Sequence, residues 1–293
     1  MNRKDCLKIV RSIDDIDAIK RELVQCINTS TQNANKCGTW QFYASKLLNY
    51  IESDFSGKPP FSIYILKGNK KLPFAAFSSL ALADCPGKGD CAKFCYSLTA
   101  WRYPAAFFRQ LQNSLLMRFN PEKIESEFLS LPSDITLRLF VDGDFMNIKT
   151  LKMFMDLCKA RSDLKVYGYS KSWREFLQLN ATGYEWPNNY LTNASSGSRY
   201  ANTGLQNAFL KLPVVRGSFN AIKVNKKHIS TRAYQDKSNP GSKEYRKEVT
   251  QKLKLLQRKS FACPGNCGNC LPNGRHACGS KDFAGVAIGI GIH

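Results

Sequence analysis

Seven of the eleven cysteines fall into two groups, Cys85/Cys91/Cys95 and Cys263/Cys267/Cys270/Cys278. Thiols grouped this tightly are ligands for metal ions or iron–sulfur clusters. The first group offers three thiolates and so leaves one coordination position for a substrate, a cofactor or a ligand from elsewhere, whereas the second offers four and can close a structural site. Only His228, His276 and His293 are available, so the centre must be thiolate-rich. That favours an iron–sulfur cluster, with all-thiolate zinc as the alternative, over a mixed Cys/His zinc site. His276, two residues before Cys278, is the second choice as a fourth ligand. Cys6, Cys26, Cys37 and Cys158 stand alone and read as small buried apolar residues. Disulfides would need an oxidising compartment. Met1 to Val10 (MNRKDCLKIV) has no apolar stretch or small-residue cleavage site, and the longest apolar run, Gly285 to Ile292, is too short to span a bilayer. The expectation is a cytoplasmic protein with reduced thiols and no membrane partner.

These thiols must be held by something, and the chain alternates between strand-like and helix-like segments. Asp15 to Gln32 and Trp40 to Ile51 read as N-terminal amphipathic helices. Phe61 to Leu66 and Phe74 to Leu82 read as strands, the second running into the Cys85 loop, and Ala92 to Phe119 as an aromatic helix broken near Pro104. Ile135 to Val141 is a strand that ends in Asp142-Gly143-Asp144-Phe145, followed by a helix from Ile148 to Ala160. Leu164 to Tyr169 is another strand, leading into Ser170-Lys171-Ser172-Trp173. Asn189 to Asn193 and Leu212 to Val215 read as further strands, Gly241 to Lys259 as a charged helix, and Ala284 to Ile292 as a closing strand. Strand–helix alternation implies parallel pairing. The fold expected is α/β, an open (β/α) barrel-like parallel sheet with N-terminal helices (1–60), a core (61–260) and a Cys-rich segment (261–293). Chemistry in such folds sits at the carboxyl ends of strands, where the Cys85 loop, Asp142 to Phe145 and Ser170 to Trp173 all fall. Asp142 and Asp144 could instead cap the helix that begins at Ile148.

The net charge of +20 calls for a polyanionic partner, with nucleic acid the first candidate. Lys211 to Ser260 carries fourteen Lys and Arg against three acids, and Lys226, Lys227, Arg246, Lys247, Lys252 and Lys254 are its candidate phosphate contacts. The stretch Phe94, Tyr96, Trp101, Tyr103, Phe107 and Phe108, interleaved with Lys93, Arg102 and Arg109, reads as helix core or as a base-stacking platform.

Four motifs in order carry a resemblance: Cys85-Pro86 with Asp90-Cys91-Ala92-Lys93-Phe94-Cys95-Tyr96-Ser97, then Arg138 to Phe145, then Tyr167 to Ser172, then the C-terminal Cys-Pro cluster. Together they resemble the gene product 88 family of phages and plasmids. More distantly, the three-cysteine loop with Phe94 before Cys95, and Gly143-Asp144 after the next strong strand, resemble radical S-adenosylmethionine enzymes. That resemblance implies a cluster on Cys85, Cys91 and Cys95 and a cofactor held by Gly143, Asp144 and Ser170, with Asp144 and Lys171 in catalytic positions. The spacing differs, with five and then three intervening residues where those enzymes have three and then two. Two function classes follow: a cluster enzyme acting with S-adenosylmethionine near nucleic acid, or a non-enzymatic nucleic-acid-binding protein stapled by zinc or a structural cluster.

Overall fold

A computed structural model describes residues 3–29, 34–69, 72–225, 240–256, 259–268, 270–271 and 276–292. In chain order the elements are α1 (Arg3–Arg11), α2 (Ile16–Asn28), α3 (Ala34–Glu52), β1 (Tyr64–Ile65), β2 (Ala75–Phe77), α4 (Ser97–Ala100), α5 (Pro104–Phe119), α6 (Pro121–Leu129) and β3 (Thr136–Arg138). There follow α7 (Ile148–Ala160), β4 (Lys165–Ser170), α8 (Trp173–Ala181), β5 (Tyr190–Ser195), α9 (Gly204–Leu210), β6 (Val215–Lys223), α10 (Pro240–Leu256), β7 (Ser260–Ala262) and β8 (Ala287–Ile292). No helix among the described residues is long and apolar enough to cross a membrane.

The strands form one sheet in the order β1-β2-β3-β4-β5-β6-β8-β7, with only β1–β2 antiparallel. From β2 to β6 the order follows the sequence. Right-handed crossovers between strands laid down in one direction must put every helix on the same face, and helices α5 to α9 do pack side by side there. The barrel-like expectation is corrected: β1 and β7 are edges that do not pair, so the sheet stays open. Among the described residues the second face of the sheet carries no crossover helix.

Register shows what the second face holds. Arg138 of β3 is opposite Tyr167 of β4, Tyr169 opposite Asn193 of β5, Ser195 opposite Phe219 of β6, and Phe219 opposite Ile288 of β8. Side chains alternate along a strand, so these residues share the helix-free face. The closing run Ala-Ile-Gly-Ile-Gly-Ile shows the same logic. A Cβ on Gly289 would meet Leu253 and one on Gly291 would meet Tyr245, so α10 lies directly on the small residues. Ile288 and Ile290 point the other way, Ile288 into a cluster with Cys278 and Tyr167.

The N-terminal helices share the main core. Cys6, Ile9, Ile19, Leu23 and Leu47 cluster with Phe107, Phe128, Leu137 and Val166. Arg118 of α5 adds a polar tie, donating to Asp14 and to the fully buried Asp84, both at 2.6 Å.

Candidate metal and ligand centre

A cavity of about 530 Å³ opens on the helix-free face at the carboxyl ends of the strands. Cys85, Cys91 and Cys95 line it together with Cys263 and Cys267, so two groups far apart in sequence look onto one space. Asp142, Gly143, Asp144 and Lys171 also line it, as the strand-end positions predicted.

The Cys85–Cys95 loop is fastened to the exit of β5. Gly89 and Cys91 donate backbone N–H groups to the Gly197 carbonyl (3.1 and 3.3 Å), and Arg199 donates back to Gly87 (3.0 Å). Gly197 has φ +76°, and a Cβ there would lie 2.8 Å from that of Cys91. Only glycine fits both demands. Cys91 sits in a 3₁₀ turn, Asp90–Phe94, and Cys95 follows it at once.

Asp144 is buried and fully engaged. One carboxylate oxygen accepts from the Phe145 N–H (2.9 Å) and the Ser170 hydroxyl (2.8 Å), and the other from the Lys171 N–H (2.6 Å). Burial pushes its pKa up to about 6, against the pull of these donors and of the Lys171 charge. Asp142 accepts from the Ser97 and Ser78 hydroxyls. Neither caps the following helix, because Asn147 does, accepting from Thr150 N–H at 2.9 Å. Gly143, at φ +80°, packs where a Cβ would strike Ser79. Ser170 does not reach the cavity: it is fully buried and serves to hold Asp144. Lys171 donates from Nζ to Ser195 Oγ at 2.6 Å, and its charge acts on the thiol of Cys85, whose pKa burial pushes up.

The second cysteine group lies partly behind the cavity wall. Cys263, Cys270 and the buried Cys278 pack with Tyr167, Phe261 and Ile288. Gly265 N–H points at Cys263 Sγ and Ala277 N–H at Cys270 Sγ, both at 3.4 Å, and Tyr167 Oη donates to Cys267 Sγ at 3.8 Å. Burial pushes Cys278 up to about 11, while the Tyr169 hydroxyl and Arg216 pull it back. Donors aimed at sulfur suit thiolates. Even so, among the described residues no three His, Cys, Asp or Glu side chains stand close enough to form a ready-made ligand set. His276 is packed as an aromatic, its ring 4.1 Å from that of Tyr167 and 4.8 Å from that of Phe74. Burial and the nearby Arg138 lower its pKa to about 4.

The sequence profile of the family described as gene product 88 matches residues 56–273, well over half of the chain. The chain belongs to that family. No curated protein and no solved structure matches it. The matched span of the gene product 88 family takes in both cysteine groups except Cys278, and every strand-end residue named above.

The cations expected to meet nucleic acid are placed elsewhere. Tyr245, Val249 and Leu253 bury one stripe of α10 against β6 and β8, on the face opposite the cavity. Arg246, Lys247, Lys252 and Lys254 therefore do not border the cavity, and Lys226 and Lys227 lie outside the described residues. Lys252 is bound to Glu248 and to the Lys223 carbonyl, both at 2.7 Å. The aromatic stretch divides: Trp101, Phe107 and Phe108 are core, whereas Phe94, Tyr96 and Tyr103 are 41%, 59% and 56% exposed, the first two on the cavity wall. Sequence reasoning did not single out Arg138, Lys88 or Tyr169, which also line the cavity. Their signal was available in part, since Tyr169 closes a predicted strand, whereas Arg138 falls in the middle of the strand predicted over Ile135 to Val141 and ends only the shorter observed β3.

Proposed function

We propose that this protein is an iron–sulfur protein of a phage or plasmid that holds a [4Fe-4S] cluster on Cys85, Cys91 and Cys95, acts with S-adenosylmethionine in the adjoining cavity, and works on or beside nucleic acid. The observation that carries the reading is the opening of three thiols from one loop onto a cavity that also holds Asp144 and Lys171. Three protein ligands leave one metal position for an exogenous molecule. A cluster bound there would supply single electrons to its neighbour, the chemistry that cleaves S-adenosylmethionine.

The chain's own contribution is positioning and charge. Asp144 ties the exits of β3 and β4 together through Ser170 and the Lys171 N–H. Lys171 brings a positive charge beside Cys85, which favours the thiolate a metal requires. Gly143 leaves backbone accessible on the wall.

A second reading is favoured by one observation, the N–H groups aimed at Cys263 and Cys270 next to a buried Cys278. It makes the C-terminal group a closed structural site, of zinc or a cluster. Both centres can coexist, and the non-enzymatic alternative is that only the structural one is filled.

Anaerobic purification with iron, sulfide and zinc analysis separates these readings. The expected protein is brown, with broad absorption that bleaches on reduction, and the reduced form releases 5′-deoxyadenosine from S-adenosylmethionine. A colourless protein with stoichiometric zinc would refute the cluster.

A further inference from the structure

Arg138 is the last residue of β3 and points from the helix-free face into the cavity. Its Nε donates to the Phe140 carbonyl at 3.3 Å, and its guanidinium lies over the Tyr169 ring, 4.6 Å from the centroid. The four remaining N–H donors have no protein acceptor among the described residues, and no carboxylate lies within ion-pair distance. Asp142 is near enough for its charge to be felt, but its two oxygens already accept from Ser97 and Ser78. A half-buried cation held in a fixed pose on a cavity wall, with most of its donors unused, can present them to an incoming oxyanion.

We infer that Arg138 is the receptor for an oxyanion, a carboxylate or a phosphate group, on a small molecule bound in the cavity. The planar guanidinium suits such groups because two parallel N–H donors match two oxygens. The Tyr169 ring beneath it fixes the plane in advance, which lowers the ordering cost of binding. The side-chain ammonium groups of Lys171 and Lys88 on the same walls donate to neutral oxygens, Ser195 Oγ and the Leu82 carbonyl, and so add positive potential beside Asp142 and Asp144. The competing account is that Arg138 only balances the thiol of nearby Cys267. Those two accounts differ in whether a soluble anion binds.

The site needs no cluster, so it is tested on the full chain whatever metal that chain carries. Calorimetric titration with inorganic phosphate and with S-adenosylmethionine distinguishes a phosphate from a carboxylate source. The expected result is binding of at least one probe by the wild type, weakened about tenfold or more in Arg138→Gln. Arg138→Lys should fall between them, and Lys247→Gln on α10 should leave binding unchanged. Equal affinity in wild type and Arg138→Gln, or no binding of either probe to the wild type, overturns the assignment. If Arg138→Gln does not fold, the rate at which phenylglyoxal modifies Arg138 in the wild type decides: slowing by phosphate or S-adenosylmethionine supports the site, and an unchanged rate with both overturns it. A colourless zinc protein that passes this test would sink the cluster and keep the anion site.

Discussion

Asp144 shows how a single side chain records the conflict at the heart of this centre. Three donors favour the charged carboxylate, yet burial outweighs them and raises the pKa from 3.8 to about 6. The consequence for stability has a definite sign. Below the unfolded value the group is neutral in both states and costs nothing, and as pH rises through the folded value the native state must carry a desolvated charge. The penalty is on the order of 3 kcal/mol when fully developed. Asp144→Asn cannot ionise, so between pH 4 and 6 the wild type should lose stability relative to the variant as pH increases. Urea midpoints measured across that range check this. A pH-independent difference would mean that Ser170, Phe145 and Lys171 hold the carboxylate at its ordinary value. The variant also gives up the acceptor for the Lys171 N–H, a constant offset of about 1 kcal/mol that the slope does not contain.

At the scale of elements, what could be read in advance was whatever local periodicity encodes. The helix at Ile148 to Ala160 was bounded correctly because its apolar spacing and the strand before it are both strong. The break near Pro104 became the start of α5, as a residue without an N–H requires. By contrast β7 has three residues and no alternation to detect, and it pairs on the far side of β8, a strand that follows it in the chain. The meeting of the two cysteine groups was equally hidden, since it depends on β6, β7 and β8 curving the C-terminal segment back over the face that Cys85 borders. Their roles should differ as their surroundings do. Cys270 and Cys278 pack with Tyr167 and Ile288, so metal affinity there would belong to the folding free energy, whereas Cys91 lies on a loop fastened by backbone bonds to Gly197. Cys270→Ser should lower the thermal midpoint sharply or cause aggregation, and Cys91→Ser should keep a native circular dichroism spectrum while losing iron. Equal, mild effects would show that the division of labour is wrong.

For the whole molecule the dominant quantity is the charge of +20, and the sheet separates the described cations of α10 from the cavity. Lys247 and Lys254 are exposed and sit about half a turn from the buried stripe Tyr245, Val249, Leu253, so they face outward on the helix-covered side. Lys93 and Arg102 sit instead beside the exposed Phe94, Tyr96 and Tyr103, with Arg102 stacked 4.9 Å from the Tyr103 ring centroid. A nucleic acid bound by α10 would approach the outer face, and one bound by the aromatic group would approach the cavity. Counterion release separates them: log affinity falls linearly with log salt, and each lost phosphate contact lowers the slope by roughly one unit. Reversal of Lys247 and Lys254 to Glu should weaken DNA or RNA binding and flatten the salt dependence without changing metal content. If instead Lys93→Ala with Arg102→Ala flattens the slope and the α10 pair does not, the strand enters beside the cavity, where stacking on Tyr96 and Tyr103 would add sequence-tolerant affinity. A wild-type protein with no salt-sensitive binding to single- or double-stranded nucleic acid would assign the charge to a different acidic partner, because no arrangement of phosphate contacts escapes that dependence.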